Sequence, residues 1–376
     1  MSYPPKVAAI RQWKSRSEMR AILEGGPGRL VMLNMQDNIA FLRNGPSNGT
    51  LTEFMETCHE LGTDAYAIIG EADYLPSTHP WGRQRKVILD TPEERIVEIT
   101  QPTPCGPLTS LEVTHPGQKP ARTKMFLEEE ADYTAAMALL RELRACRAEV
   151  IAHFSAMRQE IGENGFLSIF IPQPMEMFYF ILHEQMVYHF LDFPETYRQA
   201  MDEVEKTSHF IIDCAAEAGA DMVLFGGAGT EVYNPQMIED HVLRPAIDFD
   251  AHCKQLGLFT LMHCCGRTKI YLDNHWFDRF SPTIFESFTP LPLGDVKSPE
   301  AAAHQLPPDT FFKGGLSLDT LHRGTPAEVT AEVEAAYRAF GDRRFVLAGT
   351  CAVLTGTPRE NLLAVTNTAA TLETAV

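Results

Sequence analysis

Nowhere in this 376-residue sequence does an apolar run approach the roughly 20 residues that carry a helix across a bilayer, so no membrane-spanning helix is expected. Clusters of cations are missing too. Thirty-two Lys and Arg stand against 50 Asp and Glu, for a formal charge of −18, and no segment gathers the basic surface that a phosphate backbone requires. Nucleic acid is therefore not expected as a partner. No Gly-x-Gly-x-x-Gly follows the first strand pattern and no Gly-x-x-x-x-Gly-Lys-Ser/Thr occurs, which removes two common nucleotide-binding loops. The opening Met1-Ser2-Tyr3-Pro4-Pro5 lacks the apolar core of a secretory signal, and a cytoplasmic protein is the expectation. Cysteines number eight and are scattered through a large chain, which favours reduced thiols over a disulfide scaffold. Cys58, Cys146, Cys214 and Cys253 fall in helical patterns and read as small apolar fillers.

What the sequence does contain is alternation. Apolar runs with strand character occur at Arg29–Met35, Ala65–Ile69, Phe166–Ile171, Asp221–Phe225, Leu258–Cys265, Thr283–Glu286, Phe311–Gly314 and Arg344–Ala348. Helical patterns separate them, among them Leu51–Cys58, Asp132–Ile161, Glu176–His189, Pro194–Ala218 and Gln236–Leu256. Thr325-Pro326-Ala327-Glu328 and Thr357-Pro358-Arg359-Glu360 each carry a capping threonine, a proline suited to the first helical position and a glutamate that reaches back, so two closing helices should start there. Eight buried strands alternating with helices predict an α/β protein built as one (β/α)8 TIM barrel over residues 1–376. Short runs at Val87–Leu89, Ile96–Ile99 and Leu111–Thr114, bounded by Pro, Gly or Asp, predict a small antiparallel β insertion after the second strand, an arm or lid at about 86–126.

In such a barrel the residues just past each strand share one rim, where barrel enzymes place their chemistry. His263 and Cys265 are two apart at the end of the fifth strand, so both side chains face one way and Cys264 the other. Taken singly, each also suits a core position. Together they form a pair of soft ligands, and a thiolate from another strand would complete the three-residue set that zinc uses when it keeps one position open. Cys351, just past the eighth strand, is the candidate. Other rim positions hold Gln36 and Asp37, Glu71 and Asp73, Gln173, Glu231 and Glu286. Glu231 and Glu286 are the candidate catalytic carboxylates, although a carboxylate there also suits the cap of the next helix. Asp37, Glu71, Gln173, Phe225 and Tyr233 are candidates for a substrate pocket, the two aromatic residues being equally suited to packing.

At these residues the sequence resembles a known family. His263-Cys264-Cys265-Gly266, Lys313-Gly314-Gly315-Leu316-Ser317, Gly324-Thr325-Pro326-Ala327-Glu328-Val329, Ala348-Gly349-Thr350-Cys351-Ala352-Val353 and Pro358-Arg359-Glu360-Asn361-Leu362 look like the uroporphyrinogen decarboxylase-like superfamily. The likeness is strongest from about Ala218 onward and points to the zinc- and corrinoid-dependent methyltransferase branch. It implies zinc held by His263, Cys265 and Cys351, a corrinoid protein carrying cobalamin as partner, and a small methyl acceptor or donor. The acceptor would be a thiol similar to coenzyme M, and the donor a methyl ether or thioether, as in O-demethylation. The sequence departs from the true decarboxylases at its start, where Arg11-Gln12-Trp13-Lys14-Ser15-Arg16 replaces the arginine-rich segment that holds tetrapyrrole propionates. A metal-free decarboxylase of the uroporphyrinogen type and a non-catalytic subunit presenting a corrinoid partner are the alternative readings.

Overall fold

A computed structural model describes residues 11–35, 50–116, 121–182, 185–226, 233–264 and 266–374. Eight parallel strands form one curled sheet: β1 (Leu30–Val31), β2 (Tyr66–Ile69), β7 (Phe166–Phe170), β8 (Met222–Gly226), β9 (Phe259–His263), β10 (Ile284–Glu286), β11 (Phe311–Leu316) and β12 (Phe345–Gly349). Their order is β1-β12-β11-β10-β9-β8-β7-β2, so successive barrel strands from β2 onward are sheet neighbours and the first pairs with the last, the order of a (β/α)8 barrel. The two ends of the sheet meet where Asp64 N–H donates to the Val31 carbonyl at 2.7 Å and the Val31 N–H donates to Asp64 Oδ2 at 2.8 Å.

The strands are apolar on both faces because both are buried. Leu30, Tyr66, Phe166, Met222, Leu224, Leu261, Ile284, Phe311 and Val346 fill the cylinder. Residues of the opposite parity, such as Val31, Leu167, Val223, Met262, Phe285 and Leu347, pack outward on the helices. The helix Arg16–Leu23 plugs the N-terminal end with Met19, Ile22 and Leu23, and starts at a capping box between Ser15 and Glu18. Ion pairs hold the plug. Asp221, wholly buried before β8, receives Arg16 Nε at 2.7 Å, Arg20 at 3.4 Å and the Arg158 guanidinium. Arg11 binds both oxygens of buried Asp64, at 2.8 and 3.0 Å. The basic residues of the opening segment are thus consumed in closing the barrel floor, at the opposite end of the strands from the C-terminal rim.

The insertion is a separate antiparallel sheet in the order β3 (Gln84–Asp90), β4 (Arg95–Gln101), β5 (Leu108–Thr114), β6 (Ala121–Lys124). Its fourth strand, Ala-Arg-Thr-Lys, has no apolar alternation and was not expected from the sequence. The tract expected as one helix from Asp132 to Ile161 is two, Glu130–Ala145 and Arg147–Ile161, divided at Cys146. The expected helical pattern from Glu176 to His189 is helical on both sides of the undescribed residues 183–184, over Pro174–Leu182 and Gln185–Asp192. Thr325 caps Pro326–Phe340 through the expected box with Glu328. Thr357 does not cap the last helix, which begins at Arg359: its hydroxyl donates to the Leu354 carbonyl at 2.7 Å, spent on the turn before the helix.

Candidate functional site

His263 closes β9 and Glu286 closes β10, in register across the sheet. Both share the inward parity of Leu261 and Ile284, so the alternation of a strand delivers them to the open C-terminal end of the cylinder. His263 Nδ1 lies 3.0 Å from Glu286 Oε2. The other carboxylate oxygen accepts from the ammonium of Lys313, a fully buried residue that β11 places opposite Glu286 in register. Lys313 Nζ also lies over the Tyr66 ring, 5.2 Å from its centroid.

Burial alone would neutralise these groups, but each charge faces its opposite. Burial raises the Glu286 pKa, but Lys313 and His263 lower it by more, so the carboxyl is held well below its usual range. Burial lowers the Lys313 pKa, and Glu286 more than restores it, keeping the ammonium charged. His263 is likewise shifted upward, against burial, by Glu286 and Cys351. An ionised Glu286 can only accept, so Nδ1 of His263 carries a proton and Nε2 is turned to the opposite side of the ring, where a bound metal would take the place of a second proton.

That nitrogen meets Cys351. Its Sγ lies 3.7 Å from His263 Nε2, across 88 residues of sequence. Three contacts hold the turn that carries it: Ser287 Oγ donates to the Thr350 carbonyl at 2.6 Å, Thr350 N–H to Leu316 O at 3.2 Å, and Val353 N–H to Asn34 O at 2.9 Å. Nitrogen and sulfur ligands of one tetrahedral zinc, at Zn–N near 2.05 Å and Zn–S near 2.3 Å, stand roughly 3.6 Å apart. The His263–Cys351 pair fits that spacing, and the carboxylate on Nδ1 is the partner that metal-bound histidines ordinarily have. Among the described residues no three His, Cys, Asp or Glu groups form a metal cluster. Cys265, the expected third ligand, lies outside the described residues, as do Asp37, Gln36 and Glu231. Cys264 is wholly buried among apolar side chains, facing away from the site as its parity requires, and burial pushes its thiol well up.

The remaining candidates divide. Gln173 is fully buried on the rim after β7, and neither atom of its side-chain amide has a hydrogen-bond partner among the described residues. Phe225 does not face the barrel: its parity is opposite to that of Leu224, and it packs on Phe249 and Phe280 in the strand–helix layer. Glu71, in the short 3-10 turn Glu71–Asp73, lines a separate cavity beneath the arm. Tyr233 is buried with its hydroxyl donating to Met175 O at 3.3 Å, which directs its polar end to a helix backbone.

Two site residues escaped the sequence reading. Lys313 could have been found by parity, being two residues past inward-facing Phe311 in a strand with no other charge. Glu176, in the first turn of Pro174–Leu182, is 2% exposed and places its carboxylate on Gly226, whose N–H donates to Oε2 at 3.1 Å. A Cβ on Gly226 would stand 2.1 Å from Glu176 Oε1, so the glycine makes room for this carboxylate. Gly226 is in register with His263, which brings Glu176 to the adjacent strand end.

The uroporphyrinogen decarboxylase (URO-D) family model matches residues 112–372, more than half of the chain. This protein belongs to that family. Among solved structures, a methyltransferase from Methanosarcina mazei superposes with a TM-score of 0.64 at 15% identity, covering 94% of this chain and 97% of that one. The shared feature is the fold, along nearly the whole of both chains. A B12-independent methionine synthase from Shewanella sp. W3-18-1 is similar over 60% of this chain and 68% of its own, with a TM-score of 0.41 and 13% identity. Among curated proteins none matches. No helix of the described residues is long and apolar enough to cross a membrane.

Proposed function

We propose that this URO-D family member is a methyltransferase that moves a methyl group between a cobalamin-bearing corrinoid protein and a small substrate. Zinc would be held by His263, Cys265 and Cys351. The observation that carries this reading is the approach of Cys351 Sγ to His263 Nε2 at 3.7 Å, with Glu286 on the opposite ring nitrogen. The likeness to the Methanosarcina mazei methyltransferase supports it. Zinc bound there would keep a substrate thiol as the thiolate at neutral pH, or draw electron density from the heteroatom of a methyl ether or thioether.

The chain's own residues prepare the site. Glu286 fixes the tautomer and the ring orientation of His263, and Lys313 holds Glu286 ionised so that it remains an acceptor. Glu176 and the Gln173 amide, which has no partner among the described residues, would supply polar atoms on the neighbouring rim to orient a substrate. The aryl, alkyl or thiol character of that substrate would be set by the rim loops.

A metal-free decarboxylase of the uroporphyrinogen type would need cations free to take several carboxylates. Arg11 and Arg16 are instead committed to Asp64 and Asp221, and Lys313 to Glu286. Methylcobalamin demethylation, followed by the visible spectrum of the cobalamin, tests the proposal. Purified protein with zinc and a thiol acceptor should drive the change, and Cys351→Ser should not. Turnover of a porphyrinogen by metal-free protein, with no effect on methylcobalamin, would replace methyl transfer by decarboxylation.

A further inference from the structure

A cavity of about 890 Å³ opens at the floor of the barrel, beside the plug helix and at the end opposite to His263 and Cys351. Its lining joins the turn 25–28, which follows that helix, to the segments that enter β11 and β12. Leu306, Pro308, Phe311 and Phe345 give it an apolar side. Arg29, Arg343 and Arg344 give it a basic one, in a chain whose formal charge is −18.

Arg29 is held by one corner. Its Nη2 donates to the Gly341 carbonyl at 2.5 Å and its Cζ lies 5.2 Å from the Tyr337 ring centroid, while Nη1 is buried with no hydrogen-bond partner. Arg343, two residues past Gly341, repeats the arrangement: Nη2 donates to Thr310 O at 3.2 Å, and Nε is buried without a partner. Among the described residues no carboxylate comes within ion-pair distance of either guanidinium. Asp342 and Glu373 share the lining. Burial pushes the Arg343 guanidinium down, and Asp342 opposes this only from beyond ion-pair distance. Glu373 is taken by Arg11 at 3.6 Å, Lys14 at 4.0 Å and the Tyr337 hydroxyl at 3.2 Å. Arg344 is paired at 3.3 Å, but with Asp309, which is 85% exposed and therefore screened by water. A Cβ on Gly25 would stand 3.5 Å from Arg344 Nη2, so the turn lies directly against this third guanidinium.

A buried cationic N–H without an acceptor is costly, and here two of them border one space. Both side chains are half-buried, and a turn about the stem would bring their unpartnered nitrogens to an anion in the cavity. A phosphoryl group, with nearly two charges and three acceptor oxygens, satisfies several guanidinium donors at once, which a carboxylate with its single charge does less well. We propose that the floor cavity binds a small phosphate monoester, its phosphoryl group on Arg29 and Arg343 with Arg344 beside it, and its organic body against the apolar side. The site depends neither on the metal nor on the function proposed for the rim.

Titration calorimetry of the full chain with phenyl phosphate tests this, with phenol and inorganic phosphate as comparators. The wild type should bind phenyl phosphate saturably, one molecule per chain, and each comparator at least about tenfold more weakly. Arg29→Gln and Arg343→Gln should each weaken phenyl phosphate by about tenfold or more while circular dichroism reports an unchanged fold. Cys351→Ser should bind as the wild type does, because its residue lies at the other end of the barrel. Absence of saturable binding by the wild type overturns the proposal, as does a comparator that binds as tightly as phenyl phosphate. Undiminished binding by either folded arginine variant, or weakened binding by Cys351→Ser, would place the ligand elsewhere and overturn it too. Should Arg29→Gln, which also loses the hold on Gly341, fail to fold, Arg343→Gln decides alone.

Discussion

Glu286 is the residue on which the mouth of the barrel turns, because it touches both the imidazole and the buried ammonium. Glu286→Gln keeps the shape and one acceptor but removes the charge. Zinc affinity should fall by roughly 10–100-fold, the usual cost of losing the partner of a metal-bound histidine, as read by competition with a chromophoric chelator. Unchanged affinity would separate Glu286 from the metal. Lys313→Met leaves the same carboxylate buried without its cation and should cost about 3–5 kcal/mol of stability in a denaturant titration. A loss within experimental error would mean that Glu286 is neutral in the folded protein. At this scale the sequence was legible wherever strand parity decides: His263 and Glu286 face inward and Cys264 outward as alternation requires. The same rule, applied to Phe225, directs it to the helix layer and would have removed it from the pocket candidates. Glu176 was not legible, since its place depends on the missing side chain of Gly226 on a strand 50 residues away.

Elements were read best where both faces are buried, because an apolar run of four to six residues bounded by Gly, Pro or Asp leaves few alternatives. Most of the barrel strands follow that pattern, Ile284-Phe285 and Phe311-Phe312 being the shortest apolar runs, whereas Ala121–Lys124 joins the arm through backbone pairing alone and carries no such signal. Helix starts depend on one side chain's choice of partner. Thr325 takes the helix N–H groups and Thr357 takes a preceding carbonyl, from nearly the same sequence. Thr325→Ala should therefore cost about 1 kcal/mol, measured as a shift in the urea midpoint at constant slope. No shift would mean that the box is not formed in solution. Gly226→Ala forces a methyl into the Glu176 carboxylate and should cost about 1–3 kcal/mol by overpacking. A neutral result would show that Glu176 is not seated there.

On the scale of the whole molecule, one end of the barrel is locked and the other is open for chemistry. The floor is closed by the Arg16–Leu23 helix and its arginines on Asp221, the ends of the sheet by Asp64 and Arg11, and the rim collects His263, Glu286, Lys313 and Cys351. This polarity explains why the basic opening segment resembles no carboxylate clamp: its charges are structural. The central claim is that His263, Cys265 and Cys351 share one metal ion, and cobalt substitution tests it most directly. Wild-type protein loaded with Co²⁺ should show the visible bands of a tetrahedral site and the near-ultraviolet thiolate charge-transfer band, at about one ion per chain. Cys351→Ser and Cys265→Ser should each lower the thiolate band and the bound metal with circular dichroism unchanged. A wild type that binds no stoichiometric Co²⁺ or Zn²⁺, or variants that keep the full thiolate band, would contradict the account.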